Sequence, residues 1–198
     1  GKSRLTQEIT RLATRHGCLV FQGDSIEQAT AEPNAAWMQV VSQVAKQCHA
    51  DETMRRRISD AIEDYREEVI TAMPALAAEF GWKGGRLAGP DEFGQGRVVA
   101  AFAALIASLG SEEVPVVVSL DNCQWMDDQS IQILQAVSQE SGSHQLLLLA
   151  SRVNEAHSQR VRDLASLDCR MHLGPLDAES VRRLGESMAG AIPEQAVR

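Results

Sequence analysis

The sequence predicts an α/β fold, a three-layer sandwich with helices on both faces of a parallel sheet. Pro115 is followed by Val116-Val117-Val118-Ser119-Leu120, an apolar run too short for a helix, which ends abruptly in Asp121. Leu146-Leu147-Leu148-Leu149-Ala150 repeats that habit and ends in Ser151-Arg152. Runs without polar alternation belong to strands buried on both faces, as in parallel sheets. Stretches of helical period separate them, and such alternation leads to a parallel sheet wrapped by its crossover helices.

In chain order, Leu5, Ile9, Leu12 and Ala13 form a helical stripe that Gly17 closes. Cys18-Leu19-Val20-Phe21 reads as a strand ending at Gln22-Gly23-Asp24, with a polar loop over 24–34. Trp37, Val40, Val41, Val44, Ala45 and Cys48 share one helix face. Asp51 is placed to cap a long helix with Met54, Ile58, Ile62, Tyr65, Val69 and Met73 inward, stopping near Pro74 or running brokenly to Phe80. Its other face, rich in Arg, Asp and Glu from Arg55 to Glu68, reads as solvated and laced by i, i+4 pairs. Glycines 81, 84, 85, 89, 94 and 96 predict a flexible connection over 81–96. A helix over 97–109 follows, with Phe102, Leu105 and Ile106 inward and Gly110 as its stop. After the central strand, Asp127 or Asp128 caps a helix carrying Ile131, Leu134 and Val137. Another helix is expected over roughly 156–166, a fourth strand over 169–173, and a last helix from Asp177.

Composition narrows the function. The 198 residues carry 44% hydrophobic side chains, enough for one good-sized core. A net charge of −8 argues against a general nucleic-acid surface, which is normally basic. No apolar run approaches the ~20 residues that span a bilayer, and no signal peptide is visible. Cys18, Cys48, Cys123 and Cys169 match no zinc spacing, and three of them read as small buried hydrophobes in a reduced, cytoplasmic setting.

Two stretches carry chemistry. Gly1-Lys2-Ser3 opens the first helix and has the residue types that end the loop G-x-x-x-x-G-K-[ST]. Such a loop holds anionic oxygens on backbone N–H groups and a helix N-terminus. Lys2 would add a point charge at the β- and γ-phosphates, and the Ser3 hydroxyl would be a Mg²⁺ ligand. Asp121 ends a buried strand, where ligands bind in open α/β sheets, and it would hold the metal through water. The next residue is Asn122, which orients water but cannot take its proton. Slow hydrolysis is the expectation, and a carboxylate at 122 would raise it. Arg152, at the end of the next strand, reads equally as a γ-phosphate contact or as a surface arginine. Ser151 offers a polar contact beside it, and Trp125 reads as core.

The chain resembles the ATPase domain of the STAND class, a branch of the AAA-related P-loop ATPases found in bacterial transcription activators, adenylyl cyclases and hybrid kinases. The resemblance rests on Gly1-Lys2-Ser3-Arg4-Leu5, on Pro115 through Asp127 with Ser130, on Leu146 through Arg152 with Asn154-Glu155, and on Leu173-Gly174-Pro175-Leu176. It covers nearly the whole chain. It implies a P-loop NTPase sandwich whose first strand lies ahead of Gly1, so that the chain is a piece of a longer one. It further implies a core over 1–173 with a helical insert near 34–80, and the start of a helical lid over 174–198. By the same likeness Gly1, Lys2, Ser3 and Arg4 hold ATP in the Walker A role, and Ser3 and Asp121 hold Mg²⁺, Asp121 in the Walker B role. Asp121, Asn122 and Arg152 carry the hydrolysis. The family usually has Asp-Asp where this chain has Asp121-Asn122.

The implied function is an ATP-binding regulatory switch with slow hydrolysis. Its partners would be ATP and ADP, attached effector domains of the same chain, and a second copy on ATP binding. Neither a membrane nor nucleic acid is expected to bind this segment directly. Two other readings stay open: a non-hydrolysing scaffold that recruits partners through the insert, and a replication-initiator-type AAA ATPase.

Overall fold

The computed structural model describes residues 1–27, 33–84, 92–139, 144–150 and 169–189. The elements are α1 (Lys2–Arg15), β1 (Leu19–Asp24), α2 (Ala35–Ala50), α3 (Glu52–Ile62), α4 (Arg66–Ala72), α5 (Pro74–Glu79), α6 (Glu92–Ala107), β2 (Val116–Asp121), α7 (Asp128–Gln139), β3 (Gln145–Leu149) and α8 (Ala178–Ala189). They fall into two units, Gly1–Leu167 and Asp168–Arg198. Among the described residues no helix is long and apolar enough to cross a membrane.

The sheet is parallel, in the order β1-β2-β3. Residues Val116 to Leu120 of the central strand are all buried, as its unbroken apolar character requires. Leu19 pairs with Val116 and Asp24 with Asp121, and Val116 pairs with Gln145 and Leu120 with Leu149. This register decides which side chains share a face, because alternate residues of a strand point to opposite sides. Phe21, Val116, Val118 and Leu120 enter one large core with Trp37, Val40, Val44, Phe102, Leu105 and Ile133, all buried. No α1 residue joins that core. Yet α1 lies against β1 and β2, so it covers the opposite face, that of Val20, Gln22, Asp24, Val117, Ser119 and Asp121. The result is three layers: α1, the sheet, and the α2–α7 helices.

Helix α2 approaches β1 closely. A Cβ on Gly23 would run into the Ala36 carbonyl oxygen, so only glycine fits there. The outer edge of β1 is closed by side chains. Gln43 accepts from the Gln22 N–H at 3.0 Å and donates to its carbonyl at 2.6 Å. Gln39 does the same for Asp24, at 3.1 and 3.0 Å. Two glutamines one helical turn apart thus imitate a neighbouring strand and blunt the edge.

Several expectations are corrected. Strand β1 runs through Gln22 and Gly23 to Asp24, because Gln39 and Gln43 satisfy its edge beyond the apolar stretch. The long helix after Asp51 is broken by a 3₁₀ turn at Glu63–Tyr65 and restarts at Arg66, then again at Pro74. Its cap is as expected, with Asp51 Oδ1 accepting from the N–H groups of Thr53 and Met54. The charged face is not all solvated. Arg57 caps the carboxyl end of α6 by donating to the Ser108 and Leu109 carbonyls at 2.9 and 2.8 Å. Arg97 binds Glu68 and stacks over Tyr65.

Helix α6 starts at Glu92 and takes in Gly94 and Gly96, which read as loop. Two glycines cost a helix roughly 1 kcal/mol each, whereas Phe102, Leu105 and Ile106 each contribute about 1.5–3 kcal/mol by burial. Residues Cys169 to Leu173 are exposed and form no strand. Arg170 and His172 interrupt their apolar character, so only the face of Cys169, Met171 and Leu173 would be apolar and the stretch cannot be buried on both sides. Helix α8 begins after Asp177, whose Oδ1 accepts from the Ser180 N–H at 2.7 Å. That bond holds the Asp177 carboxyl below its usual range. The helix expected over 156–166 lies outside the described residues.

Candidate functional site

The carboxyl ends of β1 and β2 place Asp24 and Asp121 side by side in register. Both belong to the sheet face that α1 covers. Helix α1 runs back along the strands, since its carboxyl end feeds β1 within a few residues. Its 14 residues span about 21 Å, close to the ~20 Å of a six-residue strand. Its amino end, with Gly1, Lys2, Ser3 and Arg4, therefore lies toward the edge where Asp24 and Asp121 end. That first turn holds no acidic side chain, and among the described residues no side chain caps Gly1. Helix N–H groups and two cations there attract anions.

Asn122 links the carboxylates. It sits in the left-handed region, φ 52°, a conformation that Asn tolerates better than most residues. Its backbone N–H donates to Asp121 Oδ1 at 2.7 Å. Its side-chain Nδ2 donates to Asp24 Oδ1 at 2.8 Å. Its Oδ1 accepts from Nε2 of Gln124 at 3.2 Å, and Gln124 is buried. The strand tips are tied further by Ser25 N–H donating to the Asp121 carbonyl at 3.2 Å and Cys123 N–H donating to the Ala150 carbonyl at 3.0 Å. Burial pushes the Cys123 thiol up to about 12, which removes it as a nucleophile.

The donor set suits a hard cation. A serine hydroxyl and an aspartate carboxylate are the oxygen ligands that Mg²⁺ takes alongside phosphate oxygens and water.

Asp127 has a different task. Its Oδ1 accepts from the Ser130 N–H at 2.7 Å, capping α7. Its Oδ2 accepts from the Asn34 N–H at 2.9 Å, at the start of α2. One carboxylate thus serves two helix N-termini. The indole N–H of Trp37 donates to the Ser130 carbonyl at 3.1 Å and completes the junction. Beside it a cavity of about 340 Å³ is lined by Ser25, Ile26, Pro33, Trp125, Met126 and Asp128 among others. Asp24, Asp121 and Asn122 do not line it, nor do Lys2 and Ser3. Trp125, read as core, is half-buried at its wall.

Arg152, Ser151, Asn154 and Glu155 lie outside the described residues. Ala150 marks the end of β3, where its N–H donates to the Leu120 carbonyl at 2.9 Å. Sequence reasoning missed Asp24, which it assigned to a loop. The signal was there as an acidic residue ending a strand, the same signature as Asp121, but the polar Gln22 and Gly23 before it hid how far the strand runs.

The model of the AAA ATPase domain family matches residues 1–149. The chain belongs to that family. The matched span runs from the first turn of α1 through β3 and so contains Lys2, Ser3, Asp24, Asp121 and Asn122. The chemistry of an AAA ATPase domain is nucleotide binding and ATP hydrolysis, and its three-stranded parallel sheet with flanking helices is that of a P-loop NTPase. No curated protein and no solved structure matches the chain significantly.

Proposed function

We propose that this AAA ATPase domain is an ATP-dependent switch of the STAND type in a larger cytoplasmic signalling or transcription-regulating protein, with slow turnover. The observation that carries the reading is the shared face: the sheet side bearing Asp121 is the side covered by the helix that begins with Lys2 and Ser3. In this reading the N-terminal turn of α1, with Gly1, Lys2, Ser3 and Arg4, binds the phosphates. Ser3 and Asp121 would hold Mg²⁺, which when bound would offset the negative charge of the phosphates in the transition state. Arg152, which follows β3 in sequence, would report the γ-phosphate. The core runs over 1–173 with its helical insert near 34–80, and 174–198 begin a lid. Nucleotide state moves that lid and, through it, the effector domains or a second copy.

The test is the affinity of the full-length protein for labelled ATP with Mg²⁺, wild type against Lys2→Ala. A loss of at least about tenfold is expected for a phosphate-contacting charge. Equal affinities would overturn the reading.

A further inference from the structure

The sequence leaves the attacking water without a proton acceptor, because Asn122 stands where the carboxylate was expected. The structure supplies another carboxylate. Asp24 ends the neighbouring strand in register with Asp121. Its side chain belongs to the α1 face, with Val20 and Gln22. Its backbone is fixed on both sides by Gln39. Its Oδ1 takes the Asn122 amide at 2.8 Å. The direction of that amide is settled, because its oxygen faces the buried Gln124 and its nitrogen faces Asp24. Asn122 is thus a bracket between two acids, its backbone N–H on Asp121 and its side chain on Asp24.

Resting on the ATPase reading above, we infer that Asp24 is the proton acceptor of the hydrolysis and that Asn122 is its positioning residue. The base sits one strand over from the metal-holding Asp121, and the amide occupies the position next to it. In the step, the water oxygen forms a bond to the γ-phosphorus and its proton passes to the Asp24 carboxylate. The bond from the γ-phosphorus to the bridging oxygen breaks, and its electron pair stays on the β-phosphate of ADP. The proton leaves Asp24 for solvent as phosphate departs. Asp121, with one oxygen held by the Asn122 N–H, keeps its separate metal role. Sharing the Asn122 bracket keeps the two carboxylates at a set separation, so that one serves water while the other serves the cation.

The test uses the full-length protein with Mg²⁺-ATP. ATP affinity is measured separately from single-turnover hydrolysis. Three forms are compared: wild type, Asp24→Asn, and the exchange Asp24→Asn with Asn122→Asp, which returns an amide–carboxylate pair in the opposite sense. Asp24→Asn should bind ATP within about threefold of wild type and hydrolyse it at least ~100-fold more slowly. The exchanged pair should recover at least about tenfold of that loss. A purely structural role for Asp24 would give no recovery from a carboxylate placed at position 122. A wild-type rate in Asp24→Asn would overturn the inference, as would an exchange that binds ATP without recovering rate. ATP binding by the wild type without turnover would also overturn it, leaving the binding reading intact. No ATP binding by the wild type would instead defeat the ATPase reading, and this inference with it.

Discussion

The side-chain amide of Gln39 closes both backbone hydrogen bonds of Asp24, accepting from its N–H at 3.1 Å and donating to its carbonyl at 3.0 Å. A helix residue does here what a fourth strand would do. The contact holds the last residue of β1 extended, and that residue carries a carboxylate of the candidate site.

Gln39→Ala should therefore loosen the tip of β1 and little else. The groups it frees lie at an edge that water reaches, so the loss is about 1 kcal/mol rather than the full cost of a buried orphan. Amide hydrogen exchange is the sharper probe. The Asp24 amide should exchange at least about tenfold faster, while the Gln22 amide, held by Gln43, keeps its rate. Equal exchange at Asp24 in both proteins would show that the amide pair is not what orders the strand end.

Asp127→Ala should destabilise the fold without touching nucleotide affinity. The carboxylate accepts from Asn34 N–H and Ser130 N–H at two helix starts. Each lost cap costs about 1 kcal/mol, so a drop of roughly 2 kcal/mol in unfolding free energy is expected from denaturant titration. ATP affinity within about twofold of wild type should accompany it. An intact fold with abolished binding would place Asp127 in the site and end the capping account.

Glu68 makes stability depend on pH. The Arg97 guanidinium hydrogen-bonded to it holds its carboxyl below the usual value of 4.5. A carboxyl with a depressed folded-state pKa stabilises above its unfolded pKa, and that contribution fades as pH falls through the folded value. Glu68→Gln should thus be less stable than wild type at neutral pH, and the gap should shrink toward zero below about pH 4.5. Arg97 is half exposed, so solvent screens the pair and salt should narrow the gap as well. Denaturant midpoints at several pH values check this; a gap independent of pH would assign the effect to packing.

Much of the molecule was legible in the residues alone. The buried run Val116 to Leu120 declared a central parallel strand, and the spacing of Trp37, Val40, Val41 and Val44 declared a helix with its whole stripe in the core. Asp51, Asp127 and Asp177 announced helix starts, because capping needs only an acceptor just before the helix, two or three residues ahead of the N–H it takes. These features depend on neighbours in sequence, so the sequence by itself determined them, together with the α/β class and the paired signals at Lys2 and Asp121. Pairings across the fold were decided by tertiary structure. Asn122 meets Asp24 from 98 residues away, and Asp127 meets Asn34 from 93. Each depends on strand register and helix docking, and these are set by how the apolar faces of Phe21, Val118, Trp37 and Phe102 pack together. Local pattern specifies which faces are apolar. Only their packing determines which polar tips are brought within hydrogen-bond reach.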